Sequence, residues 1–376
     1  MRVSIDSRTI EPGDVFIPIK GPTYDGHDYI LEAINKGATI LDVNLQEHAK
    51  KYRKKLKSIV IAVTGSAGKT TVKDLLTTVL SSKYRVTKTQ ENENNEIGTP
   101  LTILRADHAT EIIIVEMGMR AIGEIRDLTS IVRPTHVVIT GIGLSHIEQL
   151  KTQRNIAKAK AEVFRPALKW EQKDKVAFLN YQMPYYDLVN QKAIKAGYQT
   201  IPFKGQDKLD QNINLCYTVG SHFGLSNDEI QEALKNYKAS SHRLEKHQMS
   251  GITVFDDSYN ANPDGVLYAL QYIKRIPARR KILVLGDMLE LGKHSKREHK
   301  KVADYALDND ISIIFTYGQE SANIKTKQIQ TYNFLNKKKL HSFLLAELKT
   351  GDIVLVKGSR AMKMNETVEC IKKSHG

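Results

Sequence analysis

Short apolar runs bounded by turn residues alternate with stretches of helical spacing along this chain. Residues 59–63 (IVIAV), 112–115 (IIIV), 136–139 (HVVI), 282–285 (ILVL), 313–315 (IIF) and 353–356 (IVLV) are too short for helices. They are rich in Ile and Val, and several run into Gly or a charged residue. Such runs read as strands buried on both faces. Between them, residues 72–80, 156–164, 265–276, 298–307 and 361–371 carry helical spacing. Strand–helix alternation on this scale predicts parallel α/β sheets, with ligands held outside the carboxyl ends of the strands.

Two seams divide the pattern. A basic run at residues 50–57 separates a short first segment from the strand at 59–63, and KNYKASSHR, around Tyr237–His242, precedes a new strand at 251–256. The length of 376 residues exceeds what one core usually serves. Three domains are therefore expected: 1–57, 58–240 and 241–376.

Composition narrows the class. An apolar fraction of 41% and a charged fraction of 26% are those of a water-soluble globular protein. No window approaches the roughly 18 consecutive apolar residues of a membrane span, and no apolar stretch follows Arg2 as in a secretory signal. Cys216 and Cys370 are too few for a disulfide framework or a thiolate zinc site, so buried thiols in a reducing cytoplasm are expected. The net charge of +14 favours acidic small molecules. Lys50, Lys51, Arg53, Lys54, Lys55 and Lys57 enclose one aromatic, Tyr52, with no nucleic-acid motif beside them. They read as a solvated helix face, and no nucleic-acid partner is expected.

The sharpest chemical signal is VIAVTGSAGKTT, residues 60–71. A buried strand runs into Gly65, Ser66, Ala67, Gly68, Lys69, Thr70 and Thr71, and a helix follows. Such a turn aims backbone N–H groups and a helix N-terminus at a phosphate chain. Lys69 would reach the outer phosphates and Thr70 would hold Mg²⁺. The longer G-x-x-x-x-G-K-T pattern is not met, because Val63 takes the place of its first glycine. Glu116, at the carboxyl end of its strand, is placed to hold Mg²⁺ as well. Taken singly, Glu116, His146 and Lys160 read more simply as a strand-end charge, a loop histidine and a solvated helix lysine.

In order, VTGSAGKTT, ENENNEIGTP, EMGM, THVVITGIGLSHIE, KAKAEVF, DDSYNANP, LGDMLELG and VLVKGSR resemble the Mur ligases, and among them the MurF type. The first segment, DSRTIEPGDVFIPIKGPTYDGHDYI, is similar to the region of those enzymes that holds a uridine nucleotide. The resemblance implies a three-domain fold with a central P-loop-type ATPase domain and a C-terminal Rossmann-like domain. It implies an ATP-dependent carboxylate–amine ligase working through an acyl phosphate, with D-alanyl-D-alanine joined to UDP-N-acetylmuramoyl-tripeptide. It places His146 at a second Mg²⁺ and matches Lys160 to a lysine that the family carbamylates. Asn94 and Asn95 would line the nucleotide cleft, and Arg243, Asp257, Tyr259, Asn260 and Asn262 would close over it. Lys357, Ser359 and Arg360 would face the amine or the phosphate, while Ser4, Asp6, Ser7, Arg8 and Lys20 would contact the UDP moiety. A monomer is expected.

The chain also departs from the pattern. It begins almost at the DSR motif, and residues 200–212 (TIPFKGQDKLDQN) are short where the family has a β-rich stretch, with Asp210 in place of a histidine. His242 stands before Arg243 where a glycine is usual. Alternatives therefore stay open: a MurF-like paralogue acting on another carboxylate, a non-catalytic nucleotide-binding scaffold, or a nucleic-acid-dependent ATPase.

Overall fold

The computed structural model describes residues 2–21, 23–164 and 174–375. The chain builds three sheets. The first is small and parallel, in the order β1 (Val3–Ser4), β2 (Val15–Phe16), β3 (Thr39–Ile40). The second contains β4 (Ile59–Thr64), β5 (Val86–Lys88), β6 (Ile112–Glu116), β7 (His136–Ile139), β8 (Val176–Asn180) and β9 (Gln199–Phe203). Its order is β5-β6-β4-β7-β8-β9, and every pairing is parallel. The third contains β10 (Glu245–Met249), β11 (Ile252–Asp257), β12 (Arg280–Gly286), β13 (Ile313–Tyr317), β14 (Gln330–Phe334) and β15 (Asp352–Lys357). Its order is β10-β11-β15-β12-β13-β14, parallel except for the antiparallel β10–β11 edge. The expected α/β architecture is present, with this one antiparallel pair added.

The buried runs form the sheet centres because their Ile and Val side chains are covered on both faces. Val60, Ile61, Ala62 and Val63 of β4 are fully buried, as are Ile112–Val115 of β6. Each such side chain contributes about 1.5–3 kcal/mol by leaving water. The helix Lys69–Leu80 closes over β4 with Val72, Leu75, Leu76, Val79 and Leu80, the i, i+3, i+4, i+7 spacing of one apolar face. In the two large sheets most strands that periodicity does not mark are edges; the exception is β8, a buried interior strand. β9 (QTIPF) and β14 (QTYNF) are half exposed and polar, and Pro202 is tolerated because an edge strand needs fewer amide donors.

The basic run behaves differently from a solvated face at one position. Arg53 ends the helix Leu45–Arg53 and is fully buried, donating to the carbonyls of Val132, Leu56 and Ser58. Burial pulls its guanidinium down to about 10. The cationic side chain thus ties the first segment to the central sheet through backbone carbonyls, which periodicity of charge could not reveal. Cys216 is buried, which pushes its thiol up to about 12, while Cys370 is half-buried; both are free. No described helix is long and apolar enough to cross a membrane.

The central and C-terminal sheets share one continuous apolar cluster. Ile142, Ile147 and Leu150 from the loop after β7 belong to it, together with Ala261, Met288 and Leu291 from the C-terminal half. The carboxyl ends of both sheets consequently face a common cleft.

Candidate active site

The site begins where β4 stops. Gly65 has φ 152°, and a side chain there would collide with the Thr140 hydroxyl; Gly68, at φ 78°, takes the left-handed conformation that starts the next helix. The loop's carbonyls are held from the neighbouring strand. Thr140 Oγ1 donates to Ala67 O at 2.6 Å and Ser145 Oγ to Ser66 O at 2.7 Å, while Ser66 N donates to Gly141 O at 3.0 Å. Among the described residues, the amides of Ala67, Gly68, Lys69 and Thr70 donate to no protein acceptor. Open amides at a helix N-terminus form an anion site. Lys69 Nζ folds back onto Gly65 O at 3.0 Å. Burial draws its ammonium below the ordinary lysine range; Glu116 opposes this and Arg243 adds to it.

Glu116 ends β6, beside β4 in register with Val63, and is almost wholly buried. Its Oε1 accepts from Asn94 Nδ2 at 2.8 Å, but its Oε2 is buried without a partner. A buried carboxylate oxygen left unpaired is costly unless a cation completes it. That orphan oxygen suits a cation such as Mg²⁺.

Two further groups come from the elements after β7. His146, at φ 63°, caps the short helix Ile147–Leu150. Its Nδ1 lies 2.7 Å from Glu290 Oε2, off the line of a well-formed hydrogen bond. Lys160 ends the helix Gln153–Lys160 and is 1% exposed. No described residue offers it a hydrogen bond or an acidic partner. Burial lowers its ammonium well below the ordinary range, and the nearby Lys69 charge lowers it further. The solvated-lysine expectation therefore fails: Lys160 is a buried amine held toward its neutral form.

The C-terminal half supplies the opposite wall. Asp257 ends β11 and Lys357 ends the adjacent β15, paired in register. Lys357 Nζ reaches Asp257 Oδ2 at 2.6 Å and Asn260 O at 2.8 Å. Burial disfavours charge on both, drawing Lys357 below its usual range and Asp257 above its own. Arg243 and Arg360 lie over the same Tyr259 ring, at 4.1 and 5.0 Å. Asn262 caps the helix Pro263–Lys274 by accepting from Gly265 N at 2.8 Å, and its Nδ2 donates to Ser145 Oγ at 2.9 Å. Between the walls lies a cavity of about 390 Å³, lined by Ser66, Gly68 and Thr71 on one side and by Arg243, Asp257, Tyr268 and Lys357 on the other.

The predicted residues do not all converge there. Asn95 is exposed and spends its side-chain oxygen on the amides of Ile97 and Gly98, starting the next helix. Ser359 is buried, accepting from Leu289 N at 2.9 Å, and Arg360 is exposed. In the first segment, Asp6 binds Arg8 through two short contacts, Ser7 Oγ donates to Glu32, and Ser4 Oγ bonds the Asp6 backbone. Arg8 and Lys20 reach solvent at their tips, with side chains 84% and 79% exposed. Ser145, Tyr268 and Glu290 are not singled out by the sequence. All three lie inside recognised motifs or helical spacing, but nothing local distinguishes them.

The departures also have physical form. β9 ends at Phe203 and the helix Lys208–His222 begins after only residues 204–207. Asp207 and Asp210 at its start both bind Arg275 of the C-terminal half, at 2.7 and 2.8 Å. His242 adopts φ 59°, a conformation a glycine takes without strain, and its Nδ1 meets Asp256 Oδ2 at 2.6 Å.

Family models described as the Mur ligase middle domain, the Mur ligase glutamate ligase domain and the Mur ligase catalytic domain match residues 63–250, 242–360 and 2–92. The chain is 32% identical to a UDP-N-acetylmuramoyl-tripeptide–D-alanyl-D-alanine ligase of Bacillus subtilis, over 99% of this chain and 93% of that one. The enzyme of the same name from Treponema pallidum is 31% identical, over 99% and 94%. Both alignments are longer than this chain, so the relatives carry residues it lacks. Among solved structures, MurF from Acinetobacter baumannii superposes with a TM-score of 0.84 at 24% identity, covering 99% and 93% of the two chains. MurF ligase from Thermotoga maritima, in complex with ADP, superposes with a TM-score of 0.81 at 27% identity, covering 99% and 97%.

Proposed function

The chain belongs to the Mur ligase family, and on that premise we propose that it is the ADP-forming ligase that joins D-alanyl-D-alanine to UDP-N-acetylmuramoyl-tripeptide. It acts as a cytoplasmic monomer in cell-wall precursor synthesis. What carries the proposal is a complete phosphate and cation constellation in a chain that aligns, over 99% of its length, with ligases of that name. A paralogue acting on a different carboxylate finds no support in those names. We place the domain boundaries near residues 57 and 240, in the segments between the three sheets.

The open amides of residues 67–70 and the Lys69 ammonium bind the ATP phosphates. The substrate carboxylate oxygen attacks the γ-phosphorus, the bond to ADP breaks, and an acyl phosphate forms. The amine nitrogen then attacks the acyl carbon, and the tetrahedral adduct expels phosphate and loses a proton to give the amide. The protein contributes position and fixed charge rather than covalent chemistry.

Thr70 and Glu116 would hold one Mg²⁺, and His146 with Lys160 a second. When bound there, the cations neutralise phosphate charge that would repel the incoming carboxylate. A Lys⁺ would oppose a cation, but Lys160 is held toward its neutral amine. That amine can attack CO₂, forming an N–C bond and releasing a proton, which leaves an anionic carbamate. Asn94 orients Glu116 through its 2.8 Å bond. Arg243, Asp257, Tyr259, Asn260 and Asn262 close over the nucleotide, with Asn95 at the rim, and closure keeps water from the acyl phosphate. Lys357 and Arg360 face the amine or phosphate, with Ser359 bracing their loop. Arg8 and Lys20 reach the UDP diphosphate from the turn that Ser4, Asp6 and Ser7 hold.

The test is ADP release with each substrate alone and with both together, and mass spectrometry of the product. ADP formation that requires both, with the pentapeptide as product, is expected. An inert pair overturns the assignment.

A further inference from the structure

The loop after β12 has no part in the reaction as derived above, yet it meets the central domain at His146. Glu290 Oε2 lies 2.7 Å from His146 Nδ1. The backbone carbonyl of the same residue accepts from Glu148 N at 3.3 Å, in the helix that His146 begins. Glu290 thus clasps both the imidazole and its supporting helix.

The loop presenting it is braced on its other side. Asp287 accepts from Ser321 N at 2.7 Å, Met288 N donates to His299 Nε2 at 3.0 Å, and Leu289 N donates to Ser359 Oγ at 2.9 Å. The loop that delivers the carboxylate is thereby fixed to the C-terminal domain, so the contact ties the imidazole to that domain. His146 and Glu290 both sit at φ 63°, left-handed backbone that costs a non-glycine residue about 1–2 kcal/mol. The contact therefore joins two conformations that neither residue would adopt by default. On the ring's far side, Nε2 has no protein partner among the described residues.

We propose that Glu290 is the positioning residue of His146: docking of the C-terminal domain fixes the ring with Nδ1 toward Glu290 and Nε2 toward the second cation. The clasp makes that cation position complete only in the docked arrangement. The bent approach seen between Nδ1 and the carboxylate is of the kind that tightens once a site is loaded. This inference rests on the cation role given to His146 above.

Three measurements on the full chain test it. In the metal-free wild type, nitrogen NMR of His146 should report an Nδ1–H tautomer, while Glu290→Ala should revert toward the Nε2–H form that free imidazole prefers. With ADP present, Mn²⁺ titrated by EPR should bind Glu290→Ala with its first affinity unchanged and its second weakened about tenfold, the usual scale for removing a ligand's orienting partner. Turnover should fall about tenfold in kcat with little change in KM for ATP, and Glu290→Gln, which keeps a neutral acceptor, should recover much of the loss. Glu290 is half exposed, so neither variant threatens the fold. Wild-type tautomer and wild-type second Mn²⁺ affinity in Glu290→Ala would overturn the inference, whatever the turnover. If the tautomer and Mn²⁺ changes appear but wild type does not couple the two substrates, the inference stands and the assigned reaction fails.

Discussion

Asn262 donates its side-chain amide to the Ser145 hydroxyl at 2.9 Å, and that hydroxyl in turn donates to Ser66 O in the phosphate loop at 2.7 Å. The residue that caps the helix Pro263–Lys274 therefore reaches the phosphate loop through Ser145, and its amide also donates directly to Ser66 O at 3.4 Å. Domain docking and loop geometry share one polar chain.

The two duties of Asn262 can be separated. Asn262→Ala loses both and should cost about 1 kcal/mol of stability, the usual worth of a side-chain cap. Asn262→Asp keeps the capping oxygen but loses the donor to Ser145. Denaturant unfolding should place the Asp variant near wild type, while its KM for ATP rises as far as in the Ala variant. An unchanged KM in both would show that the bridge does not serve the nucleotide.

Lys160 is buried without an acidic partner among the described residues, an arrangement that costs stability. Lys160→Ala should abolish turnover without lowering the unfolding midpoint, and a short carboxylic acid should restore part of the activity by standing where the carbamate oxygens belong. Full activity in the alanine variant would remove the carbamate from the mechanism.

His136 gives the fold a defined acid limit. Its ring is buried against Phe178 and Phe223 and faces His222 Nε2 at 3.1 Å. Burial, with a smaller push from His222, lowers it to about 4. The unfolded chain takes up this proton near pH 6.5 and the folded chain refuses it until about pH 4, so stability rises with pH across that window. Roughly 3 kcal/mol should be present above pH 6.5 and lost by pH 4, because each pH unit between those two limits is worth about 1.4 kcal/mol. Urea unfolding at stepped pH measures it, and His136→Phe should flatten the slope in this range.

Arg275 bridges the shortened central segment to the C-terminal half through Asp207 and Asp210. The pair is about half exposed on the arginine side, so Arg275→Ala should cost under about 1 kcal/mol in unfolding. Arg275→Glu gathers three carboxylates and should raise the KM for ATP at low salt. That difference should shrink near 1 M salt, where charges are screened beyond about 3 Å. Salt-independent kinetics in the Glu variant would mean the bridge does not govern docking.

Most of the central site is legible in the order of its residues. The buried runs ending at Thr64 and Glu116 are continuous Ile and Val segments, and a glycine-rich turn after a buried strand has few physical uses. The ordered motifs then link Lys160 and Asp257 to one family. The edge strands β9 and β14 escape because half-exposed, polar strands lack a distinctive period. Arg53 escapes because a charged side chain in a basic run looks solvated until one of its carbonyl partners, Val132, is brought from 79 residues away.

The amino-acid sequence alone determined the α/β class, the phosphate loop and the residue types for ATP chemistry, since these rest on local burial periodicity and short spacings. The tertiary structure decided which candidate side chains meet at the cleft and which bond within their own surroundings. Asn95, Ser4, Ser7 and Ser359 proved to be ties within their own surroundings. It also brought Glu290 to His146 and Asn262 to Ser145. Those pairings join residues more than about a hundred positions apart, through sheet order and domain docking. No local pattern of hydrophobic and polar positions encodes which carboxyl ends will face one another.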